Sequence, residues 1–277
     1  TSINNQNISQ VASSGISCVN MIPDGNFEED GLYQFDLTYP DRNHYSKTTE
    51  EKYIGNHSAK CVINDNIEAV NGLSMNVSQL KPGIQYTLSA YIKCEEEVRG
   101  SILLKAGATE SECIKKTDEN IENGWQRLSL NFTSSGTSKV SIGIKNGTGT
   151  FYVDAVQLEV ANEFTPSEFN MIANSGFERG SMYWTASDSS HVAVTSALPD
   201  VRFGSQAVKF NGNKNGLYTM EQTIPVEGLP DHSFIISGWA SNTKYPFMGS
   251  IRSAAQMVSY ELSIGAVFAV IFLCTGS

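Results

Sequence analysis

The sequence predicts an all-β fold of the sandwich type, and three observations carry the prediction. Apolar and polar residues alternate over short runs, the pattern of strands with one face buried and one wet. Gly, Pro and Asn signals punctuate those runs, and residues 20–160 sustain no apolar period of 3.6. The third observation is an internal repeat. Asn20-Met21-Ile22-Pro23-Asp24-Gly25-Asn26-Phe27-Glu28 returns as Asn170-Met171-Ile172-Ala173-Asn174-Ser175-Gly176-Phe177-Glu178. Gly55-Asn56-His57-Ser58-Ala59-Lys60 returns as Gly204-Ser205-Gln206-Ala207-Val208-Lys209, and Tyr86–Tyr91 returns as Phe234–Trp239. The offsets, 150, 149 and 148 residues, are nearly constant, so one domain is used twice.

In chain order, residues 1–18 are rich in Ser, Asn and Gln and read as a linker. The first copy occupies 19–160. Its strand signals are Leu73/Met75/Val77, Tyr86/Leu88/Ala90/Ile92, Leu128/Leu130/Phe132, Val140/Ile142/Ile144 and the run Phe151–Leu158. The turns between them are Lys81-Pro82-Gly83, Asn123-Gly124, Ser135-Gly136 and Asn146-Gly147. Residues 161–169 are a second linker. The second copy runs over 170–240 and is truncated: residues 92–159 of the first copy have no counterpart after Trp239. A half-built sandwich leaves edges and a core face bare, so the second copy is expected to fold poorly.

The tail, 241–277, has a different character. Arg252 and Glu261 are the only charged residues from Ile251 to Ser277, and Leu262–Leu273 is a nearly continuous apolar run. With Ile251–Tyr260 ahead of it, this run predicts a transmembrane-like apolar helix. The alternative, a buried core helix, finds no other helical segment here to pack on.

A net charge of −10 excludes nucleic acid as a partner, because phosphate binding needs basic patches. The five cysteines form no CxxC pair and have no histidines at ligand spacing, which excludes a zinc site. Cys94 and Cys113 can pair if their strands are neighbours; the other reading is small buried thiols. The start, Thr1-Ser2-Ile3-Asn4-Asn5, is not a signal peptide, and the chain reads as an internal piece of something longer. Nothing places two carboxylates across a cleft or a nucleophile beside a histidine, so catalysis is not expected.

The opening Asn-x-x-x-Asp/Asn-Gly/Ser-x-Phe-Glu, Pro82-Gly83-x-x-Tyr86–Tyr91, Gly124-Trp125-Gln126-Arg127-Leu128-Ser129 and Phe151–Glu159 form an ordered set. The set resembles the jelly-roll carbohydrate-binding modules of families four and nine, in the tandem form found in bacterial surface proteins of the RHS/YD-repeat type. The resemblance implies a non-catalytic, extracellular or cell-surface module for residues 1–240, one that binds a polysaccharide or cell-wall glycan or serves as a spacer. It also implies a structural Ca²⁺ held by Glu28 and Asp154, since Ca²⁺ takes hard carboxylate and carbonyl oxygens. The other reading of Glu28 is an acceptor for turn amides. Sugar stacking needs aromatic faces. Tyr33, Tyr39, Tyr45, Tyr53, Tyr91 and Trp184 are the candidates, and Trp125 reads as a packing residue.

Gly238–Glu261 is similar to a different family, the membrane H subunit of respiratory complex I, the NADH–quinone oxidoreductase. The string that carries this likeness is Arg252-Ser253-Ala254-Ala255-Gln256-Met257-Val258-Ser259-Tyr260-Glu261. It implies a membrane segment in which Arg252, Gln256 and Glu261 face a quinone cavity. The fragment holds one such helix where the family has about eight, so it is not expected to be active alone. Gly238-Trp239-Ala240 suits both families. The chain therefore reads as a chimera joined near Trp239.

Overall fold

The structure is a computed structural model that describes residues 19–78, 80–113, 124–162, 165–201, 204–213 and 216–224. The predicted apolar helix and the tail from Trp239 lie outside the described residues, among which no helix is long and apolar enough to cross a membrane.

The first copy is two antiparallel five-stranded sheets. One runs β1 (Asp36–Leu37), β4 (Asn71–Val77), β9 (Ser138–Lys145), β6 (Ser101–Ala106), β7 (Thr109–Glu110) across its width. The other runs β2 (His44–Thr48), β3 (Ser58–Ile63), β10 (Gly149–Val160), β5 (Gln85–Cys94), β8 (Trp125–Thr133). A single apolar core lies between them. Leu73, Leu104, Ile142 and Ile144 contribute to it from the first sheet; Cys61, Leu88, Leu130, Phe151 and Val153 contribute from the second. This is the predicted sandwich, and every strand signal read from the sequence falls in a strand.

No sequence signal marks strands β1, β2, β3, β6 and β7. In β3 the core-facing Ala59, Cys61 and Ile63 do alternate, but the run is only six residues long. His44 opens β2. One short 3₁₀ turn spans Gly31–Gln34.

The long strand β10 departs from the expected one-sided burial: every residue from Phe151 to Glu159 is buried. Two features explain this. A bulge between Asp154 and Gln157 shifts the register against β5, with Ala155 at φ 49. Before the bulge β10 pairs with β3; after it, the N-terminal segment takes over that edge. Val156 N–H donates to Gly25 O, Met21 N–H donates to Leu158 O, and the Asn20 side chain bonds both Val156 O and Leu158 N–H. A Cβ on Gly25 would lie 1.9 Å from Val156 O, so this close approach requires glycine.

The second copy repeats the first half of that plan in register. Strands β11 (Thr185–Ala186) and β14 (Met220–Glu221) pair as β1 and β4 do, and β12 (Val192–Thr195) and β13 (Ala207–Phe210) pair as β2 and β3 do. Ala173 and Val192 are its buried apolar residues among those described, against a continuous core in the first copy. Among the described residues no strand of the second copy takes the place of β9 or β10, which accounts for the difference.

The cysteine readings divide. Among the described residues Cys61, Cys94 and Cys113 form no disulfide, so Cys94 and Cys113 do not pair; Cys61 is buried, Cys94 half-buried and Cys113 exposed, so the buried-thiol expectation fails at Cys113. Burial pushes the Cys61 thiol well above its usual pKa.

Candidate functional site

Two acids fix the loop that precedes β3. Glu28 follows Phe27, whose backbone sits at φ 57 and turns the carboxylate inward. Its Oε1 accepts the N–H groups of Asn56 and His57 at 2.6 and 2.8 Å, and Oε2 lies 3.1 Å from His57 Nδ1. Asp154, at the β10 bulge, accepts Tyr53 and Ile54 N–H through Oδ2 at 2.8 and 3.0 Å and Ala155 N–H through Oδ1. Burial raises the Asp154 pKa well above its usual value; the three amides oppose the shift and the nearby Glu28 charge adds to it.

The structure therefore brings the two predicted calcium residues to one loop, where nitrogen groups face all four of their carboxylate oxygens. Among the described residues no group of three or more His, Cys, Asp or Glu side chains is arranged to hold a metal. The second copy keeps the first half of this device: Glu178 accepts Ser205 and Gln206 N–H groups, beside Gly204 at φ 65. Asp24 and Asn174 likewise cap equivalent turns, through Glu29 and Arg179 N–H.

The loop so anchored presents Tyr53 over the outward face of the second sheet. The Tyr53 ring stacks on Tyr91 of β5 at 3.6 Å and meets Trp125 of β8 edge-on at 6.2 Å. The Arg127 guanidinium lies 5.3 Å from the Tyr91 ring centre. Cross-strand register sets this grouping, because Tyr91 is opposite both Arg127 and Asp154. Beyond the aromatics the same face carries Ser89, Thr87, Asn131, Gln157 and Glu159. Half-exposed aromatic rings beside a row of hydrogen-bonding side chains can stack on a pyranose ring and bond its hydroxyls.

The other predicted aromatics are scattered. Tyr33, on the 3₁₀ turn, is 94% exposed; Tyr39 is exposed beside Arg42. Tyr45 is half-buried against the core and its hydroxyl donates to Thr38 O, a packing role. Trp184 packs on Phe177 at 5.1 Å and donates Nε1–H to Asn174 O, so it braces its own turn. Trp125, read from the sequence as a packing residue, is buried. Arg252, Gln256 and Glu261 lie outside the described residues. Sequence reasoning missed Arg127, Gln157 and Glu159 as site residues. Their alternation is visible, but the bulge changes which residues share a face.

A cleft of about 410 Å³ opens where the copies meet, lined by Met21, Pro23, Asp36, Met75, Glu178 and Arg179 among others. It holds no aromatic ring.

Comparison with known proteins gives two unrelated likenesses. A family model described as a carbohydrate binding domain matches residues 19–148, and one described as NADH dehydrogenase matches residues 193–277. The second span reaches further upstream than Trp239 and overlaps β12, β13 and β14. The H subunit of the NADH-quinone oxidoreductase of Agrobacterium fabrum is 47% identical over 89 residues, which are 31% of this chain and 24% of that protein. Its Pelagibacter ubique counterpart is 60% identical over 52 residues, 19% of this chain and 16% of that protein. The chain thus spans a quarter or less of the length of these curated relatives. Among solved structures, the xylan-binding domain of Paenibacillus barcinonensis Xyn10C has a TM-score of 0.38 at 15% identity, covering 49% of this chain and 91% of that one. The tandem domain of the same enzyme gives 0.40 at 15% identity, covering 66% of this chain and 57% of that one. A module bound to β-1,4-galactotriose gives 0.37 at 15% identity, covering 52% and 99%.

Proposed function

We propose that residues 19–160 are a non-catalytic carbohydrate-binding module of jelly-roll type, displayed outside the cell. The match of residues 19–148 to a carbohydrate-binding model supports the class. The observation that carries the site is the Tyr53–Tyr91 stack beside Arg127 and a row of polar side chains on one sheet face. Tyr53 is the stacking plate, because Tyr91 is already engaged by Tyr53 and Arg127. The ligand is a polysaccharide whose pyranose C–H face meets Tyr53 and whose hydroxyls reach Arg127 and its neighbours. Affinity electrophoresis of the full chain in gels containing soluble xylan or β-1,4-galactan tests this. Retardation that Tyr53→Ala removes supports the site; retardation unchanged by that substitution rejects it.

Calcium at Glu28 and Asp154 belongs to the same reading. Two buried acids meeting at one loop support it, and the loop amides that already face their oxygens supply the competing account.

The second reading concerns the tail. Its support is the local identity to the H subunit of NADH-quinone oxidoreductase, which is high over a short span. We assign residues 170–240 to the truncated module, an assignment supported by strands that pair in the register of the first copy, and 241–277 to a membrane-helix fragment without activity of its own. The two likenesses support a chimeric chain. Unbroken long reads across the codons for residues 230–250, from one isolate, would reject an assembly artefact. Membrane fractionation of the full chain tests the tail.

A further inference from the structure

Four outward-facing polar residues of the second sheet, Thr87, Ser89, Gln157 and Glu159, are buried, although the outward face of a two-sheet sandwich ordinarily meets water. The cover is the segment Thr165–Asn170, downstream of the first module. Ser167 donates its N–H to Glu159 Oε1 at 2.9 Å and its hydroxyl to Glu159 Oε2. Ser167 O accepts from Arg127 Nη2 at 2.6 Å and from Gln157 Nε2 at 3.3 Å. Asn170 N–H donates to Gln157 Oε1 at 2.8 Å, and Thr87 Oγ1 donates to Thr165 Oγ1 at 2.9 Å. The segment read from the sequence as a passive linker is bonded into the sheet face.

Arg127 bears a mark of this cover. Its Nε is buried and finds no hydrogen-bond partner among the described residues, while Nη2 reaches Ser89 Oγ and Ser167 O. A buried guanidinium N–H left unmatched is costly and rare. It indicates a face whose donors exceed what the Ser167 and Glu168 carbonyls of the strap can satisfy.

The geometry points to Thr165–Asn170 as a strap that competes with a polysaccharide for the groove beside Tyr53. This rests on the carbohydrate reading above and adds its regulation. The strap's carbonyl and hydroxyl occupy the positions that sugar hydroxyls would take on Arg127, Gln157 and Glu159. Binding then requires strap release, and the apparent affinity is reduced by the fraction of molecules with the strap open. Because the strap joins the first copy to the second, displacement of either copy would change that fraction.

Ser167→Asp tests it, since a second carboxylate would sit against Glu159 in a buried pair and drive the strap off. Three readouts on the full chain are needed: melting temperature of the first module, amide exchange over 165–170, and affinity for soluble xylan and β-1,4-galactan. Faster exchange at 165–170 with an affinity at least about tenfold tighter supports the strap. A free peptide of residues 165–170 should then weaken sugar binding by the variant. Faster exchange with unchanged affinity, where Tyr53→Ala still abolishes binding, overturns the strap and leaves the carbohydrate reading standing. Strap release without binding to either polysaccharide, before or after substitution, overturns the carbohydrate reading and the strap's role with it. Should Ser167→Asp unfold the module, Ser167→Gly, which removes the hydroxyl's bonds to Glu159 and Gln157 and keeps the strap's backbone bonds, carries the same comparison, with a smaller rise expected and no rise counting against the strap.

Discussion

Replacing Glu28 by Ala removes the acceptor that holds the loop before β3. Its side chain is 7% exposed, so little water can replace it at the Asn56 and His57 amides. Hydrogen bonds to an ionised group contribute about 1.5–3 kcal/mol each, and a buried donor left unpaired bears its full desolvation cost. Two such bonds place the loss for Glu28→Ala at about 3–6 kcal/mol. Glu28→Gln keeps an acceptor and loses the charge, which corresponds to about 1–1.5 kcal/mol. The second copy supplies an internal control. Glu178 makes the same contacts with Ser205 and Gln206, but in a more exposed setting where water can substitute, so Glu178→Ala should cost under about 1 kcal/mol. Native-state hydrogen exchange in increasing urea reads peptides from residues 125–133 and 207–213 separately. A loss below about 1 kcal/mol for Glu28→Ala would refute the loop-anchoring argument. So would an equal loss for the two glutamates.

Gly55→Ala should cost about 2 kcal/mol, because φ is +74 and the new Cβ would stand 2.5 Å from Glu28 Oε1; urea midpoints check it. Burial raises the Asp154 pKa above 3.8, so the folded chain holds that proton more tightly than the unfolded one. The associated stability is complete below about pH 4 and is lost as pH rises through the folded value; Asp154→Asn should flatten that slope in thermal melts. If Glu28 and Asp154 take Ca²⁺, added calcium raises the melting temperature of the first module at pH 7 and does so less in Asp154→Asn; an unchanged melting temperature removes calcium from the account. Limited proteolysis should leave a fragment near residues 19–165 and degrade 170–240, and equal resistance of the second region would contradict the truncated-module reading.

Much of this fold is legible in the sequence because the long strands are amphipathic. Leu73/Met75/Val77 and Val140/Ile142/Ile144 alternate cleanly, and each set lies in an interior strand of its sheet. The repeat is legible for a physical reason as well: Phe27-Glu28 with Gly55, and Phe177-Glu178 with Gly204, are the two ends of one capped loop. The candidate site is less legible. A β-bulge at Ala155 is invisible to a period-2 reading, yet it decides that Asp154, Gln157 and Glu159 share a face. Tyr53, one of six candidate rings in the sequence, reaches the site from a loop, held by the amide bonds that it and Ile54 make to Asp154, and no local pattern separates it from the other five. The role of residues 165–170 depends on contacts with β5, β8 and β10, which composition alone cannot reveal.

The central claim is that the Tyr53 face binds carbohydrate, and a glycan array probed with the full chain and with Tyr53→Ala tests it most directly. The account predicts binding to at least one pyranose polymer by the unaltered chain and at least about a tenfold loss in the variant, the scale of one stacked ring. Binding that survives Tyr53→Ala undiminished, or an array on which the unaltered chain and Ser167→Asp both stay dark, would contradict it.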